Sequence, residues 1–176
     1  MDDPNRTGLR RLVGQHEKLV YEAVKAGMVA GLPHESQLCA QAMQEHMHLK
    51  HVHNALEFAD LREGAPYEIT VGGKTVNPLA HITAHAAVKG QIEQDRLVKA
   101  AFEKIVATGT SAHHAEHILS AMFLEAGWGT AQAIQAGEDP EKAQKVYKRN
   151  IQKLIQDPAF RRKLTRKFPA AHSEFE

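Results

Sequence analysis

The sequence has little cysteine, no long apolar run and almost no net charge. It contains one cysteine, Cys39, which excludes an intramolecular disulfide framework. No N-terminal apolar run resembles a signal peptide, and no apolar run is long enough for a transmembrane span. The formal net charge of +1 over 176 residues gives no global field that would attract nucleic acid or an anionic membrane. These shortages favour a cytoplasmic protein without a membrane partner, and they leave open whether the chain forms a homodimer.

Aromatic residues are also scarce, at 6%, whereas hydrophobic residues overall make up 43%. The core must therefore consist mainly of small and aliphatic side chains, which suit helices. A chain of 176 residues is long enough for one domain with a sizeable core and too short for two domains that each have such a core. We therefore expect a single helical domain over residues 1–176.

Apolar residues recur at helical spacing along most of the chain and predict a mostly α fold, a helical bundle of four principal helices with accessory C-terminal helices. The predicted principal helices cover residues 8–28, 34–59, 78–108 and 111–136, and the accessory helices cover residues 140–156 and 158–168. An interruption near residues 94–97 is left open. The residues Asn77 and Ser111 are predicted to cap the helices that follow them.

One segment departs from the helical pattern. From Tyr67 to Val76 the order is Tyr-Glu-Ile-Thr-Val, Gly72-Gly73 and Lys-Thr-Val. Two short strand-like runs around two glycines are typical of a β-hairpin. We therefore predict a small β-hairpin insert between the second and third helices.

Histidine is the abundant residue, with twelve in the chain and ten of them between His34 and His117. Four of these form two His-x-x-x-His pairs, His81/His85 and His113/His117. A spacing of four places both imidazoles of a pair on one face of a helix, where they are able to bind a metal ion together.

A helical wheel predicts that both pairs point toward the core. The first pair shares its face with Val88 and Ile92. The second pair aligns with Ser120, Leu124 and Trp128. Both faces are therefore expected to be buried.

The predicted second helix supplies further candidates. His46, His53 and Glu57 lie nearly in line beside its apolar stripe, whereas His48 and His51 point away from it. Glu116 borders the face of the later pair. We therefore predict a buried metal site within a core of residues 34–136, with ligands drawn from several helices. The predicted ligands are His46, His53, Glu57, His81, His85, His113, Glu116 and His117.

Imidazoles that converge in a low-dielectric core cannot all be protonated without a large desolvation cost, so burial favours neutral rings. Neutral imidazole binds transition metals, and the two glutamates would supply oxygen ligands or fix the histidine tautomers. The number of candidates favours a dinuclear site or a mononuclear octahedral one, with iron or zinc as the metal. Such a site suits a metal-dependent oxidoreductase or hydrolase that binds a small molecule at the metal. The alternative is a non-catalytic metal carrier, a sensor or a structurally metallated protein. A third class, without metal, is a helical adaptor that uses its basic C-terminal segment, and the sequence leaves this choice open.

Several residues receive a structural interpretation instead. Cys39 is expected to be a small buried hydrophobe, and Trp128 a packing residue whose neighbouring glycines permit close helix approach. His114 is less expected to be a ligand than its neighbours. The histidines expected at the surface are His16, His34, His48, His51 and His172.

A basic segment occupies the C-terminal helices, at about residues 140–168. Between Lys142 and Lys167 there are ten lysines and arginines against one aspartate. Between these charges the only aromatic residues are Tyr147 and Phe160, and the segment has no known recognition motif. It is therefore interpreted as a solvated helix face, and a nucleic-acid partner is not expected.

The two histidine segments resemble those of a bacterial family catalogued as domain of unknown function 1841. The run from Asn77 to His85, with Gln91 following, is similar to its Asn-Pro-x-x-His-x-x-x-His-x-x-x-x-x-Gln segment. The run from His113 to His117 is similar to its His-Glu-Ala-Glu-His segment, and the Glu-x-x-Trp-x-x-x-Gln run that follows is also present. The resemblance covers residues 38–155. It implies a helical domain with histidine clusters and supplies no reaction.

The family also has a His-Pro-Glu-x-His segment upstream, from which this chain departs. Only His53 matches its end, while Leu49 and His51 replace the first histidine and the glutamate. The upstream ligand is therefore open: the helical wheel supports His46, the family position supports His51, and both arguments support His53.

Overall fold

The computed structural model describes residues 16–58, 69–71 and 74–168, and it confirms the predicted mostly α class. Residues 16–25 are helical and are called α1. The elements that follow are a 3₁₀ turn at Val29–Gly31, α2 at His34–His46, α3 at Lys50–Glu57, β1 at Ile69–Val71, β2 at Lys74–Val76, α4 at Pro78–Gln94, α5 at Arg96–Val106, α6 at Ala112–Ala136, α7 at Glu141–Gln156 and α8 at Pro158–Lys167. No helix in these ranges is both long enough and apolar enough to span a membrane.

Contacts divide the chain into two compact units, residues 1–86 with 174–176 and residues 87–173. Helix α4 belongs to both, since the boundary falls within it. The sequence-based expectation of a single domain stays a prediction. Each unit has its own apolar core.

The core of the first unit is built by α1, α2, α3 and the first turns of α4. It consists of small and aliphatic side chains with one aromatic ring, that of Tyr21. Its buried members are Val20, Tyr21, Cys39, Ala40, Ala42, Met43, Leu49, Val52, Ala55, Leu56, Leu79 and Ile82. Burying this much apolar surface is the main favourable contribution to the stability of the unit.

The core of the second unit is built by the last turns of α4 together with α5, α6, α7 and α8. Its buried members are Val88, Val98, Ala101, Ile105, Ala115, Ile118, Leu119, Met122, Ile151, Leu154 and Leu164. The basic segment lies on α7 and α8, where most of its charged side chains are exposed. Arg161 is an exception, because its guanidinium donates hydrogen bonds to the carbonyl oxygens of Leu154 and Ile155. These carbonyls lie in the last turn of α7, where the helix itself leaves carbonyl oxygens without a hydrogen-bond donor.

The predicted second helix over residues 34–59 is wrong as a continuous helix. The chain breaks after His46, and Leu49 adopts an extended backbone with φ −80° and ψ 113° before α3 begins. On one continuous helix, the buried face of α2 and the buried face of α3 would differ by roughly 120°. The break lets both faces reach the same core, and it also buries Leu49, which is 8% exposed.

The chain also breaks between α4 and α5, within the interval where the sequence leaves an interruption open. Asp95 is the break, with φ −108° and ψ 111°, and its carboxylate caps α5 by accepting hydrogen bonds from the amides of Leu97 and Val98. The described residues thus form more and shorter helices than the four principal ones that the sequence predicts.

The two strands pair antiparallel, with Ile69 opposite Val76 and Thr70 opposite Thr75. They fall inside the segment for which the sequence predicts a hairpin. The two glycines of the predicted loop lie outside the described residues, as do residues 59–68.

Helix α6 departs from the predicted inward face in its second half. Ser120 is buried, but Leu124 and Trp128 are 40% and 68% exposed, so the prediction that Trp128 packs in the core is wrong. The C-terminal half of α6 packs against α7 through its opposite face instead. Gly129 lies there, and a Cβ atom at this position would meet the Cβ of Ala143 on α7 at 3.2 Å. Close approach at this glycine turns Trp128 outward.

We expect Asp95→Ala to lower the free energy of unfolding by about 0.5–2 kcal/mol, because α5 loses the side chain that satisfies its first amides. Asp95→Asn is the matched control, since its amide oxygen is still able to accept both hydrogen bonds. Urea denaturation of both variants measures the effect. Equal stability of the two variants would show that Asp95 does not act as a cap.

Candidate metal centre

The first histidine pair is positioned by the start of α4. Asn77 caps the helix as predicted, and its Oδ1 accepts hydrogen bonds from the amides of Leu79 at 3.0 Å and Ala80 at 3.1 Å. This cap fixes where helical geometry begins. His81 therefore lies in the first turns and His85 one turn later, on the same face.

His46 joins this pair and forms what we call the histidine triad, His46, His81 and His85. It is the last residue of α2. Its ring centroid lies 4.8 Å from that of His81 and 4.6 Å from that of His85, and the rings of His81 and His85 are 4.8 Å apart. A nitrogen atom from each of the three rings lies within 4.8 Å of the other two. Two helices thus bring together three potential metal-binding nitrogens.

The triad is buried in the first unit. His46 and His85 are 0% exposed, and His81 is half-buried. Burial of three imidazoles at this separation disfavours their charged forms, because each charge would lose hydration and repel the others.

A hydrogen bond fixes the tautomer of His46. Its Nδ1 lies 2.7 Å from the carbonyl oxygen of Ala42, one turn earlier in α2. A carbonyl oxygen only accepts, so Nδ1 carries the proton and donates it. In the neutral ring, Nε2 therefore carries the lone pair. Histidines that bind metals ordinarily have their other ring nitrogen held by such an acceptor.

The second pair lies at the start of α6 in the second unit. Ser111 caps this helix as predicted, because its Oγ accepts a hydrogen bond from the amide of His114 at 3.2 Å. The Nε2 atoms of His113 and His117 lie 3.0 Å apart, with nearly perpendicular rings. One ring donates and the other accepts, so the neutral pair shares one proton between these two nitrogens.

Glu116 lies beside this pair and has a cationic partner, Lys89, that is not among the predicted site residues. A carboxylate oxygen of Glu116 lies within 4.8 Å of a ring nitrogen of His113. Its Oε2 lies 2.9 Å from Nζ of Lys89, and the two side chains are only 13% and 12% exposed. The spacing held a signal for Lys89, since His81, His85 and Lys89 follow one another at intervals of four along α4 and so lie along one side of that helix.

The structure does not bring His53 and Glu57 to the triad. His53 is exposed, and its ring packs at a centroid distance of 6.3 Å from Tyr21. The Oε2 atom of Glu57 accepts a hydrogen bond from the Tyr21 hydroxyl at 2.9 Å and pairs with Lys25 at 3.4 Å. The Tyr21 hydroxyl, followed by Lys25, holds the pKa of the Glu57 carboxyl below its ordinary value. Among the described residues, neither side chain belongs to a group of converging ligand atoms.

This difference has a clear cause in the backbone. On one continuous helix, His46, His53 and Glu57 would align. The break before α3 rotates the later residues away from His46.

The remaining histidines have other surroundings. Nε2 of His114 donates to the carbonyl oxygen of Phe168, which ties the start of α6 to the end of α8. His51 is half-buried rather than solvated, and burial lowers the pKa of its imidazole. His16, His34 and His48 are exposed as predicted, while His172 lies outside the described residues.

The first unit also buries a carboxyl group, that of Glu17, which the sequence pattern does not predict. Glu17 on α1 is 3% exposed, and burial raises its pKa above the ordinary value. Its Oε1 lies 2.9 Å from the hydroxyl of Thr83, which also lies 2.9 Å from the carbonyl oxygen of Leu79. One hydroxyl proton cannot fully serve two acceptors, so a proton on Glu17 would complete this chain of hydrogen bonds.

Cys39 is buried as predicted. Burial, and after it the charge of Glu17, raises the pKa of its thiol to about 12. A thiol that is not ionised is neither a good metal ligand nor a good nucleophile. Cys39 therefore acts as a small core side chain.

Comparison with protein families identifies the chain. The model of the family described as a domain of unknown function, DUF1841, matches residues 21–153, which is well over half of the chain. The protein belongs to this family, and the resemblance indicated by its histidine segments is confirmed. Comparisons with curated proteins and with solved structures give no match.

The raised pKa of Glu17 predicts how stability depends on pH. An acid whose pKa is higher in the folded than in the unfolded protein binds its proton more tightly when folded, so stability falls as pH rises from about the unfolded value of 4.5. Each unit of difference corresponds to about 1.4 kcal/mol. We therefore expect Glu17→Gln, which keeps the acceptor for Thr83, to be more stable than the natural chain at neutral pH and to lose this advantage near pH 4.

Denaturation curves at several pH values check this expectation. Glu22→Gln is the control, because Glu22 lies on the same helix with half of its side chain exposed. A stability difference for Glu17→Gln that stays constant from pH 4 to neutral pH would show that Glu17 is not the group that titrates.

Proposed function

We propose that this protein binds one or two transition-metal ions through its buried histidines. The observation that carries the proposal is the histidine triad. Its three rings come from two helices, their nitrogens lie within 4.8 Å of one another, and two of them are fully buried. Three imidazoles are a common protein ligand set for zinc and related metals.

The energetics of burial support this proposal. A core normally excludes polar rings unless their nitrogens are satisfied. Each neutral imidazole has one nitrogen with a lone pair, so the triad places three such nitrogens close together. A divalent ion satisfies several lone pairs at once. The hydrogen bond from His46 to the carbonyl of Ala42 already favours the tautomer in which Nε2 binds the ion.

The second group of ligands that we propose is His113, Glu116 and His117 on α6. It combines two imidazoles with one carboxylate, a set that suits zinc or iron. The sequence predicts that both His-x-x-x-His pairs serve one centre, with either one or two ions. That remains a prediction, and the stoichiometry of bound metal tests it.

Two functional classes are compatible with such a site. In a metalloenzyme, the ion keeps one position for water or substrate, and Glu116 would handle protons in hydrolysis or oxidation. The half-buried His81 favours this class, because it leaves the triad an approach from outside. In a carrier, sensor or structurally metallated protein, the ligand set is complete. The full burial of His46 and His85 favours this second class.

Elemental analysis of the purified protein tests metal binding. We expect at least one transition metal per chain in protein expressed without added metal, and we expect a double variant, His81→Ala with His117→Ala, to lose it. A double variant of exposed histidines, His34→Ala with His48→Ala, is the control and should keep its metal. An optical spectrum of the same samples separates iron or copper from zinc. Stoichiometric metal in the first double variant would contradict the site.

Single variants test which upstream histidine is the ligand. We expect His46→Ala to weaken metal binding by more than about a hundredfold, which exceeds the 10–100-fold loss typical of residues that only support a ligand. His53→Ala should change the affinity by no more than about threefold, since His53 is exposed and packs near Tyr21. Competition with a chromophoric chelator measures both affinities. The reverse order would move the ligand from α2 to α3.

A further inference from the structure

We propose that, in the metal-free protein, the ammonium group of Lys89 neutralises the carboxylate of Glu116. When a metal ion binds, the ion replaces Lys89 as the partner of this carboxylate. The inference rests on the proposed function and adds a residue that sets metal affinity. It concerns four residues of the second unit, Lys89, His113, Glu116 and His117, which we call the Lys89 cluster.

The geometry of the Lys89 cluster carries the inference. Nζ of Lys89 lies 2.9 Å from Oε2 of Glu116, and both side chains are nearly nine-tenths buried. A carboxylate oxygen of Glu116 also lies within 4.8 Å of a nitrogen of His113, whose Nε2 is 3.0 Å from that of His117. The same carboxylate thus borders a cation on one side and a pair of imidazoles on the other.

The physical reason for the exchange is the cost of a buried charge. A buried carboxylate without a cation nearby is strongly destabilising, so the metal-free protein needs Lys89. A divalent ion held by His113 and His117 would attract the same carboxylate more strongly than a single ammonium does. It would also repel Lys89 at short range. Metal binding therefore requires that the ion pair of Lys89 and Glu116 be separated. This separation costs free energy and lowers the affinity for the metal.

The order of residues along α4 fits this interpretation. Lys89 follows His85 by one turn, so a single ridge of the helix carries two imidazoles and then an amine side chain. A lysine on such a ridge has no advantage for apolar packing. Its partner on α6 supplies the reason for its burial.

The test compares the zinc affinity of the full chain with that of Lys89 variants. We expect Lys89→Met, which keeps the length of the side chain and removes its charge, to bind zinc more tightly by about tenfold or more, because the ion no longer has to displace a cation. Lys89→Arg keeps the charge and should stay within about threefold of the natural chain. In a Glu116→Gln background, Lys89→Met should lose its effect, since the carboxylate to be exchanged is absent.

Folding is monitored by circular dichroism and thermal unfolding. Lys89→Gln, which keeps an N–H donor for Glu116, serves as the second uncharged variant if Lys89→Met does not fold. Weaker or unchanged zinc binding by the folded uncharged variant would overturn the exchange while leaving the proposed function intact. A gain that persists in the Glu116→Gln background would also overturn it. Failure of the natural chain to bind zinc, iron or another transition metal would overturn both proposals.

Discussion

Burying an imidazole ring costs free energy unless its nitrogens find partners, and this constraint explains much of the structure around the histidines. Two of the three triad histidines are fully buried, and the third is half-buried. The helix caps at Asn77 and Ser111 determine where α4 and α6 begin, and hence where each His-x-x-x-His pair points. The backbone break after His46 ends α2 at the residue that completes the triad. Local backbone chemistry thus brings the three imidazole rings of the triad close together.

The polar groups of the two cores meet this requirement in different ways. His46 donates to a carbonyl of its own helix, and Lys89 neutralises Glu116 across two helices. The carboxyl group of Glu17 is accommodated in a third way, because burial raises its pKa and so favours its uncharged form beside Thr83. A metal ion is the partner best suited to several neutral imidazoles, since one ion binds them all at once. The proposed metal site applies the same rule that explains the Lys89–Glu116 ion pair and the raised pKa of Glu17.

Much of this could be predicted from the sequence, because helical periodicity and capping residues act locally. Residue type predicts the caps at Asn77 and Ser111, and with them the start of α6. Helical spacing predicts the burial of His85 and His117. The break at Leu49 could not be predicted in this way. Each of the two segments has a regular helical pattern of its own. On one continuous helix their buried faces would point in different directions, and this matters only because both faces contact the same core. This break is also why His53, which aligns with His46 on a continuous helix, is exposed.

The pairs that depend on tertiary packing were also beyond the sequence. A lysine and a glutamate are expected to be solvated. The spacing along α4 places Lys89 on the side of His81 and His85, but it does not show that Lys89 meets Glu116 in a nearly buried pair. Trp128 shows the opposite error, because an aromatic ring on a predicted inward face is exposed once Gly129 brings α6 close to α7. In both cases the outcome depends on which helix packs against which face, and periodicity does not contain that information.

The central claim is that buried imidazoles bind a transition metal, and X-ray absorption spectroscopy of the metal-loaded protein tests it most directly. Membership of the DUF1841 family leaves the reaction open, so the identity of the ligands is the first fact to establish. We predict a spectrum dominated by imidazole scattering, with metal–nitrogen distances of about 2.0–2.1 Å for zinc. A shell of sulfur at about 2.3 Å, or a shell of oxygen without imidazole scattering, would contradict the claim.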